Sequence, residues 1–180
     1  MFSNSYKGKK VLVTGHTGFK GTWLTTWLIN LGAEVIGISK DIPTQTSMFE
    51  ILGLTNKIQH HLIDVRDFDS LIQVVTSERP DFVFHLAAQA IVSTSYAEPV
   101  ETISSNVMGT TNVLEALRIS NHACTAVIIT SDKAYDNVEQ IWGYKEDDKM
   151  GGKDIYSGSK GAAELVIKSY YQSFFTSDKS

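Results

Sequence analysis

The sequence predicts an α/β protein built on a doubly wound parallel sheet. Strand-length apolar runs alternate with helical patterns along the whole chain, a glycine-rich turn joins the first strand to the first helix, and no internal repeat or low-complexity linker interrupts the alternation. With 180 residues, 42% hydrophobic and 20% charged, the chain can bury one good core and reads as a single domain over residues 1–180.

Lys10-Val11-Leu12-Val13-Thr14 is a short apolar run ended by glycine, as expected for a parallel strand buried on both faces. From Gly18 the pattern turns helical, with Trp23, Leu24, Trp27, Leu28 and Leu31 on one stripe and Gly32 placed to stop the helix. Glu34 to Ser39 is the second strand; a polar loop with Pro43 and a short helix from Met48 to Leu54 follow. Ile58 to Asp64 is the third strand, and Asp67 to Glu78 a helix with an acidic first turn, ended before Pro80. Asp81 to Ala87 and Thr125 to Thr130 are two further strands, joined by a long helix from Glu98 to Ser120, and a last helix covers Ile155 to Phe175. The expected strand order is 3-2-1-4-5, with ligand sites at the carboxyl ends of the strands.

Composition excludes several classes. A net charge of -4 with scattered basic residues gives no reason to expect nucleic acid or an anionic membrane as partner. The single cysteine, Cys124, rules out an internal disulfide framework and a cysteine zinc site, and reads as a small buried apolar residue. The five histidines show no ligand spacing; His60 and His61, adjacent on a strand, face opposite sides, and no metal is expected. No apolar run approaches the ~20 residues that span a bilayer, and the N-terminus lacks the apolar stretch of a signal peptide, so a cytoplasmic protein is expected.

Gly15-His16-Thr17-Gly18-Phe19-Lys20-Gly21 lies between the first strand and the first helix, where a side-chain-free turn lets a pyrophosphate approach the amides of a helix N-terminus. The spacing is GxxGxxG, and the order Lys20-Gly21-Thr22 does not make a P-loop; a tight turn without a ligand is the alternative. Asp41, near the end of the second strand, is the acidic residue that would bind an adenosine ribose and select NAD, whereas Lys40 beside it would attract the extra phosphate of NADP. Asp64 either bonds the adenine amino group or caps the following helix.

Tyr156 and Lys160 share one helix face, so an ammonium can lie near a phenol and stabilise its phenolate. That makes Tyr156 a base for a sugar hydroxyl, with a solvent-exposed helix pair as the alternative. Ser131, Asp132 and Lys133 place a hydroxyl, a carboxylate and an ammonium side by side after the fifth strand, suited to binding a ketone oxygen and protonating a leaving hydroxyl, or to capping a helix with solvated charges. The last helix carries Leu165, Val166, Ile167, Tyr170, Tyr171, Phe174 and Phe175, more apolar surface than water should meet; a partner subunit or further chain is expected to cover it.

The glycine turn, His85-Leu86-Ala87-Ala88-Gln89, Asn106-Val107-Met108-Gly109-Thr110 and Tyr156 to Lys160 together resemble the extended short-chain dehydrogenase/reductase family of nucleotide-sugar enzymes, with its Rossmann domain. The glycine turn itself, Thr130 to Tyr135, and Trp142-Gly143-Tyr144 leading to Met150-Gly151-Gly152 narrow the resemblance to the branch that dehydrates CDP-glucose. Lys133 is discriminating there, since dTDP- and GDP-sugar dehydratases usually carry glutamate at that place.

The resemblance implies an internal redox cycle on bound NAD, with Tyr156 deprotonating the glucose C4 hydroxyl, Ser131 holding that oxygen and Lys160 supporting the phenolate. Asp132 and Lys133 would remove the C5 proton and protonate the departing C6 hydroxyl, in an order left open. Besides the glycine turn, Asp41 and Asp64, the implied cofactor contacts are Val65, Leu86, Ala87, Ala88, Gln89, Asn106, Thr130, Tyr156 and Lys160. The family's proline and arginine after Gln89 are here Ala90 and Ser93. Family enzymes are longer, with a substrate-gripping domain in the remaining half, so the chain reads as a fragment expected to bind NAD but to turn over CDP-glucose poorly or not at all. A homodimer through the long and final helices is expected. A 4-epimerase, a dTDP- or GDP-sugar dehydratase, and a non-catalytic dinucleotide-binding or dimerisation module are the competing readings.

Overall fold

The computed structural model describes residues 4–176, which form two compact units: one comprises the chain up to Ala87 with Ile119–Ile129, the other Ala88–Arg118 with the chain from Thr130 onward. Among the described residues no helix is long and apolar enough to cross a membrane.

The first unit holds a five-stranded parallel sheet of β1 (Lys10–Thr14), β2 (Glu34–Ser39), β3 (Gln59–Leu62), β4 (Phe82–His85) and β5 (Thr125–Ile128), in the expected order β3-β2-β1-β4-β5. Leu12 stands in register with Ile36 and Val83, and all three are buried; Val11 and Val13, on the opposite face, pack with Val35 and with Leu28 of α1 (Phe19–Asn30). Burial on both faces is why the central strand reads as an unbroken apolar run.

The strand ends are tighter than the sequence suggests. β4 stops at His85 because the next amide, Leu86, makes the last ladder bond to the Thr14 carbonyl (3.1 Å), and the Ala87 amide goes to the Thr14 hydroxyl instead. The short helix expected before β3 is α2 (Met48–Ile51), and β3 stops at Leu62; shortly after, the Asp64 carboxylate accepts from the Arg66 amide and turns the chain toward α3 (Phe68–Glu78). β5 is an edge strand with Thr125, Ala126 and Val127 exposed, and Cys124 just before it is only half-buried rather than a core residue.

The apolar stripe expected on α1 is also displaced. Its buried line is Gly21, Thr22, Thr25 and Leu28, while Trp23 and Trp27 remain 59% and 47% exposed. The phase of the helix is set by Gly21, where an added Cβ would fall 2.7 Å from the His16 Cα. Positions 21, 25 and 28 share one face of a 3.6-residue helix, and once Gly21 must abut the glycine turn the tryptophans are carried away from it.

The second unit is helical: α4 (Val92–Ala97), α5 (Pro99–Ile103), a π-helical turn (Ser104–Met108), α6 (Gly109–Ser120, counted in this unit to Arg118), a 3-10 turn (Asp132–Ala134) and α7 (Ile155–Tyr170), which runs into a second π-helical turn at Tyr171–Phe175. The long helix expected over residues 98–120 is thus present from Pro99 to Ser120, widened by the π turn in its middle. α4 was not expected, because Val92-Ser93-Thr94-Ser95-Tyr96-Ala97 is too rich in Ser and Thr to show a helical apolar period. α7 begins where expected, with the Asp154 side chain accepting from the Ser157 amide as an N-cap. Tyr170 donates to Glu115 (3.2 Å), and the Arg118 guanidinium lies 5.2 Å from the Phe174 ring centroid; Leu165, Tyr171 and Phe174 stay largely exposed.

Gly21→Ala is expected to lower the urea unfolding free energy by about 1–3 kcal/mol, the usual cost of forcing atoms into closed space, whereas Gly143→Ala, which meets nothing within 4 Å, is expected to stay within about 0.5 kcal/mol.

Candidate active site

In the first unit the predicted cofactor residues gather at the carboxyl ends of β1 to β4. Gly15 has φ +75°, open to glycine at little cost, and its own space is closed by the Ala87 backbone nitrogen 2.8 Å from a would-be Cβ. Gly18 precedes α1 without any side-chain cap, and the first turn carries no acidic residue, so the leading amides of α1 are left for an anion. This is the arrangement a pyrophosphate requires, and a dinucleotide fits it. Phe19 and Lys20 project into solvent from that turn.

His16 and Thr17 do a different job from the one their motif suggests. The His16 ring is fully buried, hydrogen-bonded through Nε2 to His60 Nδ1 (2.7 Å) and through Nδ1 to the Ser39 hydroxyl (3.0 Å), with Phe49 set edge-on at 5.2 Å. Gly37 makes room for it: a Cβ there would sit 2.6 Å from the His16 Cγ. The Thr17 amide donates to the Ser39 hydroxyl (3.3 Å) and the Thr17 hydroxyl to the Asp41 carbonyl (2.7 Å). A network from β3 through β2 to the glycine turn therefore fixes the backbone at Asp41, whose carboxylate stands exposed. Among the described residues no cluster of His, Cys, Asp or Glu could hold a metal, the His16–His60 pair included.

Asp64 is paired with Arg66 (2.6 Å), which holds its carboxyl below the usual carboxylate range; the helix cap is Asp67, whose side chain accepts from the Ser70 amide. Val65 beside it is buried. At the end of β4 the Thr14 hydroxyl is hydrogen-bonded to His85 Nδ1 (2.7 Å) and accepts from the Ala87 amide (3.1 Å), which holds Leu86 and Ala87 against the turn.

In the second unit, Gln89 meets Asn106. The Asn106 side chain accepts from the Gln89 amide (2.8 Å), donates to the Gln89 carbonyl (3.0 Å) and donates to the Ser159 hydroxyl (2.9 Å), which itself donates to the Tyr156 carbonyl (2.6 Å). The π turn displaces Asn106 from the regular helical ladder, and such turns collect at functional sites. Through Ser159 this buried amide braces the first turn of α7, which carries Tyr156 and, four residues on, Lys160.

Lys160 is 6% exposed, and burial pushes its pKa below the ordinary lysine value, opposed by the charge of Glu164. The Ser131 side chain caps the 3-10 turn by accepting from the Lys133 amide (3.2 Å) and donates to Asp132 (3.1 Å); Asp132 and Lys133 are exposed. Thr130 donates to Glu164. Sequence reasoning missed Thr14, Ser39, His60, His85, Ser159 and Glu164. His85 and Ser159 stand inside stretches singled out for their neighbours, while Thr14, Ser39, His60 and Glu164 bond residues distant in sequence and carry no motif of their own.

A glycine turn heading a doubly wound sheet, and a buried lysine paired with a tyrosine at a helix start, are the features of a nucleotide-sugar enzyme of the extended short-chain dehydrogenase/reductase class. The family model of GDP-mannose 4,6-dehydratase matches residues 12–177, and the chain belongs to that family. It is 50% identical over 172 residues to a CDP-glucose 4,6-dehydratase of Salmonella typhimurium, covering 96% of this chain and 48% of that one. A UDP-glucose 4-epimerase of Thermus thermophilus in complex with NAD superposes with a TM-score of 0.81 at 29% identity, over 92% of this chain and 52% of that one. The Thermotoga maritima UDP-glucose 4-epimerase gives 0.82 at 23% identity, covering 92% and 52%, and shares the fold. The chain spans about half the length of the curated relatives it matches.

Burial lowers the pKa of His16 from 6.5 to about 4, and that of His60 also falls. An unfolded chain therefore takes up the His16 proton more readily than the native one, so this stability is complete above pH 6.5 and is lost as pH falls toward 4. Between pH 7.5 and pH 5 the His16 share of the loss is about 2 kcal/mol. Urea unfolding at the two values is expected to show that slope in the native chain and a shallower one in His16→Gln.

Proposed function

We propose that this chain carries the cofactor-binding and catalytic residues of an NAD-dependent nucleotide-sugar 4,6-dehydratase that converts CDP-glucose to CDP-4-keto-6-deoxyglucose with loss of water. The single observation that carries the reading is the buried Lys160 on the same face of α7 as Tyr156, in a chain half identical to a CDP-glucose 4,6-dehydratase over nearly its whole length. NAD, when bound, supplies a hydride acceptor that later gives the same hydride back.

The leading amides of α1, Phe19 to Gly21, hold the pyrophosphate, Asp41 the adenosine ribose, and Asp64 and Val65 the adenine side, with Leu86 to Gln89, Asn106 and Thr130 bounding the remainder. Tyr156 takes the proton of the C4 hydroxyl, with Lys160 four residues on and on the same face of α7. Ser131 holds the C4 oxygen. The ketone so formed acidifies the C5 position, and Asp132 and Lys133 divide the removal of that proton and the protonation of the departing C6 hydroxyl. Substrate and product are at the same oxidation level, so no external reductant is consumed. Asn106 acts through Ser159 on the α7 turn, and the exposed apolar residues of α7 serve a homodimer in this reading.

The structural kinship with UDP-glucose 4-epimerases favours a second reading, 4-epimerisation, which would use Tyr156 and Lys160 but leave Asp132 and Lys133 without a task. Calorimetric titration of the chain with NAD is expected to show saturable binding tighter than that of NADP; no NAD binding would remove the cofactor assignment. In a full-length dehydratase that carries these residues, supplied with CDP-glucose and NAD, mass spectrometry is expected to show keto-sugar formation reduced about 10²- to 10⁴-fold in Tyr156→Phe, the range typical of a lost general base. In Lys133→Ala, ketone should form without water loss, and dehydration at the native rate would assign those residues otherwise.

A further inference from the structure

Lys160 lies almost wholly out of solvent, and burial alone disfavours its ammonium. The charge that acts against this loss is Glu164, one turn further along α7 on the same face and half-buried itself. The same carboxylate accepts a hydrogen bond from the hydroxyl of Thr130. Thr130 is the residue immediately before Ser131, Asp132 and Lys133, and the 3-10 turn they form packs on α7. One side chain thus touches the lysine of the catalytic pair electrostatically and the root of the second catalytic segment by a hydrogen bond.

Two jobs are combined in Glu164, and they need different parts of the group. Holding Thr130 needs only an acceptor oxygen, which an amide would also provide. Holding a buried ammonium needs the negative charge. The other titratable or charged side chains on elements packed against α7 are Tyr96 on α4, Glu101 on α5, Glu115 and Arg118 on α6, Asp132 and Lys133 on the 3-10 turn with Tyr135 just after it, and Tyr171 on the terminal π turn; Glu101 accepts from Ser105, Glu115 is paired with Arg118, and Tyr135 faces the negative charge of Glu164.

We infer that Glu164 is a positioning residue: its carboxylate, one turn from the buried Lys160 on the same face of α7, is the counter-charge for that amine, and its hydrogen bond to Thr130 fixes the start of the Ser131–Lys133 segment on α7. The inference rests on the roles proposed for Tyr156, Lys160 and the Ser131 segment, but its test needs neither cofactor nor substrate.

The titration of Lys160 is read in the cofactor-free chain by competitive labelling of lysine amines across pH, with peptide mass spectrometry to isolate that site. Glu164→Asp keeps a charge on a shorter arm, and Glu164→Gln keeps an acceptor without a charge. The labelling midpoint is expected to fall in the order native, Glu164→Asp, Glu164→Gln, while Thr130→Val leaves it in place and instead speeds hydrogen exchange of the Lys133 and Ala134 amides. A native midpoint in either folded Glu164 variant would overturn the inference, as would an equal shift in Thr130→Val. Failure of the chain to bind NAD would sink the functional reading and leave this ordering of midpoints untouched.

Discussion

The contact of Gly21 with the backbone of Gly15 and His16 governs the first unit. Because no side chain fits between them, α1 starts directly on the turn, and the Thr22 hydroxyl seals the junction by donating to the His16 carbonyl (3.1 Å). The contact then sets which face of α1 is buried, turning Leu28 into the core beside Val11, Val13 and Val35. It also sends the His16 ring beneath β2, into the space left by Gly37. A turn suited to an anion, a helix phase and a buried histidine network all follow from one steric requirement.

The histidine network shows how a motif residue can serve geometry rather than chemistry. His16 stands in the middle of the glycine turn, yet both ring nitrogens are engaged inside the unit, and burial keeps the ring neutral well below the pH at which a free histidine charges. Its effect reaches Asp41 through Ser39 and Thr17, whose bonds end at the Asp41 carbonyl. In the second unit, Asn106 plays the comparable part, holding the Gln89 backbone and Ser159 from a widened helical turn. In both units a buried polar side chain with its bonds satisfied fixes a segment distant in sequence, the arrangement in which such networks rigidify most.

The element order and the sheet topology were legible because a buried parallel strand and an amphipathic helix leave different periods in the sequence. β1 and β2 match their expected limits for this reason, and so does the start of α7, whose cap is a short-range signal at Asp154. What failed was whatever depended on a partner outside the local window. The stripe through Trp23 and Trp27 was read from hydrophobicity, whereas the phase of α1 is decided by a glycine meeting another glycine's carbonyl. The helix over residues 98–120 is continuous as expected, but its π turn at Ser104–Met108 was not legible, because such a turn inserts no distinctive residue.

The sequence by itself determined the doubly wound sheet, the glycine turn between β1 and α1, and the i, i+4 pairing of Tyr156 with Lys160, since each is encoded over a few residues by backbone freedom or helical spacing. Only the tertiary structure decided that His16 is buried with His60, that Asp64 is held by Arg66 while Asp67 caps α3, that Asn106 reaches Ser159, and that Glu164 stands between Lys160 and Thr130. These depend on which residues distant in sequence share a dry space, and in such a space hydrogen bonds and charge, unlike periodicity, act between particular atoms at particular distances.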